Sequence, residues 1–396
     1  MIEAIVAVYG DWGIGADGTQ PIVISADRKH FREVTGASAV IVGRKTLADF
    51  PGGKPLKGRR NIVLSRQSPE IDGAAVARSA EEALALAGAS GRAFVIGGES
   101  VYQLLFPHIQ RVYVTKLDCV PHSDAFFPDL DADPDWEIEI ECPEQTDENG
   151  VRYRCMTYVR RLSAEQQEAL AWLRRDSPLT NVGTVNGILR RSFRPTCVGE
   201  NALVGYDDLC GIWYALGDAA AEHLPAPGPT TKIFISDRQE TDALLRQTYG
   251  LTGGTEFRIL VWNRDEPPLI PAPRLDICRP TDGEMQIINA TYEMADMEEL
   301  QRDRGANALF AAHDPDGKFV GYMGIHSDSS LGMLYVFPEH RRKGYAEEME
   351  LFMIGTAMSR GLVPFGQILP DNTASLHLQK KLGLTEAPGS IWFLWP

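Results

Sequence analysis

The chain has 396 residues, 44% hydrophobic and 23% charged, which is ordinary for a globular protein; this length predicts two or three domains. The formal net charge of −15 argues against a nucleic-acid partner, because such proteins need a basic face. Six scattered cysteines, with no CxxC pair and no His–Cys cluster at zinc spacing, favour a reduced, cytoplasmic and metal-free protein.

The start of the chain, Met1 followed by IEAIVAVYG, lacks the basic segment of a signal peptide. No apolar run approaches the roughly 20 residues of a membrane-spanning helix. We therefore expect no membrane partner. The sequence leaves a homo-oligomer open.

The first 161 residues alternate short β-rich segments with helical segments, which predicts an α/β domain. Four predicted strands are nearly continuous apolar runs, typical of a mostly parallel sheet covered on both faces, and we expect antiparallel strands at its C-terminal end. The predicted strands are Glu3–Tyr9, Ala39–Gly43, Asn61–Ser65, Phe94–Ile96, Arg111–Leu117, Trp136–Glu141 and Met156–Arg160. The predicted helices are Asp27–Thr35, Ser79–Ala87 and Ser100–Phe106.

Asp27 is the notable residue of the first predicted helix. With Ser25 as the helix cap, Asp27 shares an apolar face with Phe31 and Val34. A carboxylate on an apolar face is costly without a partner, which indicates a functional role. The helix dipole alone also favours an acid in a first turn, so the residues around Asp27 must decide between the two interpretations.

Ligands of parallel sheets bind at the carboxyl ends of strands, and three of these ends carry groups suited to anions. The second strand is followed by GRKT (43–46), the third by Ser65-Arg66, and the fourth by GGES (97–100) at a helix start. A glycine-rich segment, GDWGIGADG (10–18), follows the first strand. The usual Rossmann fingerprint, GxGxxG, is absent.

Residues 1–161 resemble dihydrofolate reductase along the whole domain. The matching motifs are WGIG (12–15), the helix SADRKHF, VGRKT (42–46), PLKGRRNIVLSR (55–66), VIGGESVY (95–102) and YVTKL (113–117). The resemblance implies NADPH-dependent reduction of 7,8-dihydrofolate to tetrahydrofolate. The riboflavin-pathway reductase has a related fold, but Asp27 together with Arg59 argues against it.

The resemblance also implies residue roles. Asp27 would be the catalytic acid of the pterin pocket, accepting hydrogen bonds from the 2-amino group and the N3 region and favouring protonation at N5, with water as the immediate donor. Arg59 would pair with the glutamate α-carboxylate of the substrate. Other substrate-binding residues would be Ile5, Ala7, Phe31, Phe50 and Thr115. NADPH would be bound by Ala7, Ile14, Gly43, Arg44, Lys45, Thr46, Leu64, Ser65, Arg66, Ile96, Gly97, Gly98, Glu99, Ser100 and Tyr102, with Arg44, Ser65 and Arg66 at its 2′-phosphate.

Two further features follow from the resemblance. Gly97-Gly98 would be a cis, non-proline peptide, and residues 13–18 would form a flexible lid over the nicotinamide. The sequence departs from the family at Ile22, where a tryptophan often lies beside the pterin, and at Arg28, where many members have an apolar residue.

Ser163-Ala164-Glu165-Gln166 has the pattern of a capping box, which predicts a helix over Ser163–Asp176 and a domain boundary near 162. The middle region, 162–264, shows no catalytic cluster, and His223 is expected on the surface. Four prolines in residues 265–273 predict a stiff linker over 265–275. The predicted elements of the middle region are strands Gly211–Leu216, Lys232–Ile235 and Phe257–Trp262 and helix Thr241–Tyr249.

The final region, 276–396, begins with a predicted hairpin, LFAA (309–312) and KFVGYMGI (318–325), and a strand over Leu331–Phe337. EHRRKGYA (339–346) then opens a helix, where basic residues, glycine and free N–H groups form a pyrophosphate cradle. After strand-like Phe365–Leu369 comes NTASLHLQKKLGL (372–384). The RxxGxA and NxxSxxLxxKLG motifs resemble the GCN-five-related N-acetyltransferases (GNAT) over about 305–396.

This second resemblance implies a GNAT-like mixed α/β fold that binds acetyl-CoA or another acyl-CoA and transfers the acyl group to an amine. Gln379 stands where many members have a tyrosine that protonates the leaving thiolate. Tyr335, His377 or water would then serve, or thiol loss needs no acid, or the domain only binds. The candidate base is His326 or a water chain. The implied CoA-binding residues are Leu334, Val336, Arg341, Arg342, Lys343, Gly344, Tyr345, Ala346, Asn372 and Ser375.

The sequence therefore predicts a dihydrofolate-reductase-like domain followed by GNAT-like domains, acting on small-molecule substrates. Three hypotheses stay open: two active enzymes, an active reductase with a module that binds CoA without catalysis, or a reductase with a structural appendage. The middle region is interpreted as a degenerate acetyltransferase-like unit with a structural or acceptor-shaping role. The C-terminal IWFLW (391–395) is expected to be a closing strand.

Overall fold

The structure, a computed structural model, describes residues 2–36, 38–66, 70–88, 92–270 and 272–396. The chain divides into two compact units. The first unit contains residues 1–161 with Gly305–Asn307, and the second contains residues 162–304 and 308–396. Pro271, part of the predicted linker, lies outside the described residues.

The first unit contains alternating strands and helices. Its strands are β1 (Ile2–Val8), β2 (Gly13–Gly15), β3 (Ala39–Gly43), β4 (Asn61–Leu64), β5 (Ala74–Ala77), β6 (Ala93–Gly97), β7 (Arg111–Leu117), β8 (Ala125–Phe126), β9 (Trp136–Glu141), β10 (Gln145–Thr146) and β11 (Arg152–Arg160). Its helices are α1 (Ser25–Thr35), α2 (Arg44–Asp49), α3 (Ala80–Gly88) and α4 (Glu99–Leu105).

The main sheet of this unit has the strand order β10-β11-β7-β1-β6-β3-β4-β5, with β9 paired to β11. The strands from β7 to β5 are parallel and β11 is antiparallel to β7, which confirms the predicted mostly parallel sheet with antiparallel strands at its C-terminal end. Both faces of the sheet are covered. Val6 of β1 packs into one apolar cluster and its neighbour Ile5 into the cluster on the opposite face.

The start of α1 differs from the prediction. Ser25 is the first helical residue, Ile24 takes the N-cap position, and no side chain caps the helix. Ile24 is almost fully buried in an apolar cluster, so burial of this side chain, rather than a serine hydroxyl, fixes where the helix begins. Asp27 lies in the first turn, and Phe31 and Val34 pack against the apolar cluster under the helix, as predicted.

The second unit contains the rest of the described elements. Its helices are α5 (Ala164–Asp176), α6 (Val182–Leu189), α7 (Gln239–Tyr249), α8 (Asp282–Thr291), α9 (Met297–Gly305), α10 (Tyr345–Ser359) and α11 (Thr373–Leu382). Its strands are β12 (Phe193–Val198), β13 (Leu203–Asp207), β14 (Ile212–Leu216), β15 (Phe234–Ser236), β16 (Gly253–Val261), β17 (Asp276–Cys278), β18 (Leu309–His313), β19 (Phe319–Ile325), β20 (Leu331–Val336), β21 (Phe365–Ile368) and β22 (Thr385–Trp395).

These strands form one sheet in the order β12-β13-β14-β15-β22-β16-β21-β20-β19-β18-β17. The sequence predicted a middle domain over 162–264 that a linker separates from 276–396, whereas the structure places both in one sheet. The physical reason is β22, which contains the predicted closing strand. It comes from the C-terminal end of the chain and pairs with β15 on one side and β16 on the other, so it joins the two regions.

The predicted capping box of α5 is confirmed. Gln166 N donates to Ser163 Oγ at 3.2 Å, and Ser163 N donates to Gln166 Oε1 at 3.1 Å. The Gln166 amide also donates to Phe193 O at 2.9 Å, which fastens α5 to β12. None of the helices in the described part of the chain has the length and apolar composition needed to cross a membrane.

We expect Ser163→Ala to lower the free energy of unfolding of the second unit by about 1 kcal/mol, because the N–H of Gln166 loses its acceptor at the helix end. Denaturant unfolding measures the change when it is monitored through the hydrogen exchange of α5 peptides. Ser177→Ala, at the other end of α5, is the control. Equal effects of the two substitutions would contradict the capping role.

Candidate active sites

Three strand ends of the first unit lie side by side, as predicted. Gly43 at the end of β3 pairs with Leu64 of β4, and Val42 pairs with Gly97 of β6. The chain continues from these ends into α2, into Ser65 and Arg66, and into α4. The segments with anion-binding character therefore share one edge of the sheet.

Glycine is required at this edge because other groups approach the backbone closely. A Cβ atom on Gly98 would lie 2.8 Å from Thr46 Oγ1, and one on Gly43 would lie 3.0 Å from Val101 Cγ2. Gly97 has a φ of +130°, which side chains disfavour, and the Gly97–Gly98 peptide is cis, as the resemblance implied. Glycine at these positions therefore lets Thr46 and Val101 pack directly against the backbone.

The same edge carries exposed cations. Arg44, Lys45 and Arg66 are exposed, and across the described ranges none of them lies within ion-pair distance of a carboxylate. Basic groups that the protein itself does not neutralise can pair with an external anion. Ser100, also predicted here, is exposed in the first turn of α4, and Ile96 is buried in the strand before it.

Asp27 lies on α1 and faces Thr115 of β7. Burial raises the pKa of the Asp27 carboxyl, and the Thr115 hydroxyl, His30 and Arg28 lower it by less, so the pKa stays above its ordinary value. Thr115 Oγ1 is fully buried, yet it completes no hydrogen bond of good geometry to any described residue. A buried hydroxyl next to a carboxylate thus retains capacity for an external hydrogen-bonding group.

Apolar residues surround this pair. Ala7 of β1 stands beside Thr115 in the sheet register, and Ile5, Phe31 and Phe50 belong to a single apolar cluster. Ile14 packs on the neighbouring core. The structure thus places Ala7 beside Thr115 and groups Ile5, Phe31 and Phe50 in one cluster, and their role in binding substrate stays a prediction.

Tyr102 behaves differently from a typical ligand contact. Its hydroxyl donates to Ile5 O at 2.8 Å and the side chain is buried in the core. Its hydrogen-bonding group is already used inside the protein. The role of Tyr102 in cofactor binding stays a prediction, and the contact would be made by its aromatic ring.

Arg59 is held in place by α1. Its Nε and Nη2 atoms donate to Thr35 Oγ1 at 3.1 and 2.9 Å, and the guanidinium lies 5.5 Å from the centre of the Phe31 ring. Burial and the nearby Arg32 lower the pKa of Arg59. Among the described residues no carboxylate pairs with it, so the guanidinium is fixed by Thr35 and Phe31 and not by an acid.

The glycine-rich segment after β1 is tied to β8. Gly15 O accepts from Asp124 N at 3.0 Å, and Asp17 N donates to Asp124 Oδ2 at 3.0 Å. Glu99, predicted to contact the cofactor, accepts from Phe126 N at 3.2 Å and so connects α4 to the same strand. Whether residues 13–18 move as a lid stays a prediction.

The second unit has an opening in its sheet. The parallel strands β20 and β21 are in register at the pair Leu331–Gly366 and diverge beyond it. Met333 has a φ of +52°, and the β19–β20 register shifts beside it, so β20 bulges at this point. Leu334 and Val336 follow on the diverging part of β20 and are partly buried.

The predicted cradle lies at the far end of β20. Arg341 Nε donates to Val336 O at 3.0 Å, and its guanidinium lies 5.7 Å from the Tyr335 ring centre. Arg342 and Gly344 have φ values of 61° and 81°, and Gly344 is the N-cap of α10. Tyr345 and Ala346 open the helix itself. The basic loop and the free N–H groups of α10 thus occur together, as predicted.

Arg274 belongs to this loop although sequence patterns did not indicate it. Its Nη1 donates to Lys343 O at 3.0 Å. The backbone N–H groups of Arg274 and Leu275 both donate to Glu348 Oε1 at 2.7 Å, so α10 holds the end of the predicted linker. Local sequence patterns could not predict this contact, because Arg274 and the loop at Lys343 are about 70 residues apart in the sequence.

Gln379 and Glu350 form a buried pair. The sequence indicated Gln379 but not Glu350. Gln379 Nε2 donates to Glu350 Oε1 at 3.0 Å, while Gln379 Oε1 has no partner among the described residues. Burial raises the pKa of Glu350 to about 7, although Gln379 acts to lower it. A Cβ atom on Gly366 would lie 2.5 Å from the Gln379 amide, so the pair lies over the point where β20 and β21 separate.

The other predicted groups of this site have defined positions. Asn372 Oδ1 accepts from Ser375 N at 3.1 Å, which makes Asn372 the cap of α11. His377 Nδ1 lies 3.0 Å from Thr373 O on the exposed side of the same helix. His326 packs against Gly332 of β20, and burial lowers the pKa of its imidazole.

Within the described ranges no group of three or more histidine, cysteine and acidic side chains is arranged to hold a metal ion. The fold thus defines one α/β unit with a half-buried acid on α1 and a sheet edge that carries exposed cations. It also defines a second unit in which two parallel strands separate next to a basic loop.

Comparison with known proteins matches each unit separately. The family model described as dihydrofolate reductase matches residues 1–160, and the model described as acetyltransferase (GNAT) family matches residues 278–384. The dihydrofolate reductase of Neisseria meningitidis serogroup B is 36% identical over 160 residues, covering 40% of this chain and 98% of that protein. That of Mycobacterium tuberculosis is 40% identical over 165 residues, with the same coverage.

A solved structure, the dihydrofolate reductase from Enterococcus faecalis complexed with NADP(H) and RAB-propyl, is 30% identical and covers 40% of this chain and 96% of its own, with a TM-score of 0.38. The chain belongs to the dihydrofolate reductase family through its first unit, and it carries a GNAT acetyltransferase domain in its second.

Proposed function

We propose that the first unit reduces 7,8-dihydrofolate to tetrahydrofolate with NADPH. The observation that carries this proposal is the placement of Asp27: a carboxyl group with a raised pKa beside the Thr115 hydroxyl, which completes no hydrogen bond of good geometry to any described residue. The family relationship makes the pterin ring the natural occupant. Its 2-amino group would donate to Asp27 and Thr115, which satisfies both.

Asp27 orients the pterin and favours the protonated form at N5, with water as the immediate donor. Ile5, Phe31 and Phe50 provide the apolar walls that exclude bulk water from the ring. Arg59, fixed by Thr35, pairs with the α-carboxylate of the substrate's glutamate tail. Positioning by residues from α1, β1, the end of α2 and the segment before β4 keeps the substrate in one orientation.

The residues at the strand ends fit NADPH, which when bound supplies the hydride. Gly97 and Gly98 place their backbone against the Thr46 side chain at the start of α4, and the pyrophosphate would bind to the N–H groups of this helix start. Arg44 and Arg66, which lack protein partners among the described residues, suit the 2′-phosphate. Loss of NADPH absorbance on addition of dihydrofolate to the purified chain tests the proposal, and absence of turnover would refute it.

We expect the double substitution Arg44→Ala and Arg66→Ala to remove most of the preference for NADPH over NADH. Each charge-assisted hydrogen bond to the 2′-phosphate contributes about 1.5–3 kcal/mol, so KM for NADPH should rise roughly tenfold or more per arginine while KM for NADH changes little. Lys54→Ala, another exposed cation of this unit, is the control. An unchanged ratio of kcat/KM for the two cofactors would overturn the assignment.

We propose a second function for the second unit: acyl-CoA-dependent transfer of an acyl group to an amine. The observation behind it is the basic loop at Arg341–Ala346 at the far end of β20, where β20 and β21 diverge. Acyl-CoA would lie along β20 with its pyrophosphate at this loop. Gln379 cannot supply an acidic proton, so a domain that binds CoA without catalysis is the alternative.

Two measurements separate these possibilities. Calorimetric binding of acetyl-CoA to the full chain distinguishes either form of the proposal from a purely structural appendage. Thiol release with a panel of small amines then distinguishes transfer from binding alone. Absence of acetyl-CoA binding would refute both forms.

A further inference from the structure

A thiol, an imidazole and a carboxylate lie in series at the edge of the second unit's sheet, apart from both sites above. Cys278 Sγ is 3.7 Å from His313 Nδ1, and His313 Nε2 is 2.5 Å from Glu284 Oε1. Cys278 is exposed, while the side chains of His313 and Glu284 are only 16% and 13% exposed. The thiol is open to solvent and the two groups behind it are shielded.

Regular secondary structure holds this arrangement. Asp276 of β17 pairs with His313 of β18, so Cys278, two residues further along β17, lies on the same face and diagonally opposite His313. Glu284 sits in the first turn of α8, where Thr281 N and Oγ1 donate to its Oε2 at 2.7 and 2.8 Å. One carboxylate oxygen anchors Glu284, and the other is left for His313.

The hydrogen-bond partners determine which nitrogen of His313 carries the proton. Burial acts to raise the pKa of Glu284, but hydrogen bonds from Thr281 and His313 outweigh it, and the pKa lies below its ordinary value. An ionised carboxylate only accepts, so His313 Nε2 must donate to it. In the neutral ring Nδ1 is then the acceptor, and it faces the thiol of Cys278.

We propose that Cys278 is a nucleophilic thiol, activated by His313 and oriented through it by Glu284, that accepts an acyl group from an acyl thioester. The thiol proton passes to His313 Nδ1 and the Sγ atom attacks the thioester carbonyl. The new Sγ–C bond forms, the C–S bond of the thioester breaks, and the proton moves from His313 to the leaving thiolate. The products are S-acyl-Cys278 and a free thiol.

Acyl thioesters fit this site better than oxidants do. Exchange between a thiol and a thioester needs no further reactant, whereas formation of a disulfide or a sulfenic acid requires an oxidant. An exposed thiol can react with a small thioester without a binding cavity. The inference therefore does not depend on CoA binding at Arg341–Ala346.

The competing interpretation is that His313 and Glu284 only fasten α8 to β18. Burial, Asp276 and Glu284 raise the pKa of the Cys278 thiol, so without a base it should react more slowly than a free thiol. A general base contributes typically about a hundredfold or more in rate. An activated Cys278 should therefore react faster than a free thiol. If His313 and Glu284 only fasten α8 to β18, Cys278 should react more slowly than a free thiol.

The experiment uses the full chain with acetyl-N-acetylcysteamine, a thioester without a nucleotide, and follows acetylation of each cysteine by peptide mass spectrometry. N-acetylcysteine at the same pH is the free-thiol reference. We expect Cys278 to react faster than this reference and His313→Gln to slow it about a hundredfold, to below the reference. Glu284→Gln should give an intermediate rate, and His223→Gln, a change elsewhere in the unit, no effect.

A Cys278 rate at or below that of the reference, or one that His313→Gln leaves unchanged, would overturn the proposal. Because His313→Gln could loosen α8, the wild-type chain is also treated with iodoacetamide, which needs no variant. Cys278 must then be alkylated faster than N-acetylcysteine. A slower rate counts equally against the activated thiol. Failure of acetyl-CoA binding in the calorimetric test would leave both measurements unaffected.

Discussion

Asp27→Asn is expected to lower dihydrofolate turnover at neutral pH by about two orders of magnitude or more, while NADPH still binds. Asparagine has nearly the same shape, but it has no negative charge and no acid form that could favour protonation at N5. The residues that we propose to bind NADPH, among them Arg44, Arg66 and Gly98, belong to other elements, so their geometry should persist. Steady-state kinetics and fluorescence titration with NADPH measure the two effects.

The pH dependence of the wild type gives a second test. Burial raises the pKa of Asp27, so its acid form persists to higher pH than in an exposed aspartate and is lost as the pH rises through that raised value. We expect kcat/KM for dihydrofolate to fall over this range. Asp27→Asn should lack this part of the profile.

Glu33→Gln is the matched control, because Glu33 is an exposed acid on the same helix. It should leave both turnover and the pH profile unchanged. Turnover close to normal in Asp27→Asn would remove the role assigned to this carboxyl. A profile that keeps its alkaline fall in Asp27→Asn would assign that fall to another group.

Sequence patterns could predict which strand ends of the candidate reductase site lie together, because parallel strands bring their carboxyl ends to one edge. GRKT (43–46), Ser65-Arg66 and GGES (97–100) were each recognisable as strand-end segments, and the sheet order places them side by side. The placement of Asp27 followed from helical periodicity. The strand Ala74–Ala77 was missed because AAVA is short and alanine has little preference for strands.

What could not be predicted depends on contacts between distant segments. The pairing of β22 with both β15 and β16 joins two predicted domains, and no local pattern encodes that register. Glu350 and Gln379 are 29 residues apart, and Cys278 and His313 are 35 apart. Gln379 was recognisable from the sequence, but Glu350, Cys278 and His313 are unremarkable alone, and only the fold gives each of the four its partner.

Glu350→Gln is expected to make the second unit more stable than the wild type at about pH 8. The difference in unfolding free energy between the two proteins should be smallest below about pH 5. Glu350 is 2% exposed, and burial raises its pKa from 4.5 to about 7. A raised carboxyl pKa means that the folded state holds the proton more tightly. Its contribution to stability is therefore complete below pH 4.5 and is lost as the pH rises through about 7.

A shift of this size corresponds to about 2–3 kcal/mol of unfolding free energy lost from the wild type between about pH 5 and pH 8, since one pKa unit is about 1.4 kcal/mol. Glutamine has no charge to bury, so the variant should not show this loss. Its amide can also donate to Gln379 Oε1, which has no partner among the described residues of the wild type.

Hydrogen exchange of α10 peptides in increasing denaturant, at the two pH values, measures the stability of this unit separately from that of the reductase unit. Glu168→Gln, an exposed acid on α5, is the control and should follow the wild type at both pH values. If Glu350→Gln lost as much stability as the wild type on going to pH 8, Glu350 would already be ionised at little cost. The buried pair with Gln379 would then have to be open to water, because only solvation or a further cation could stabilise that charge.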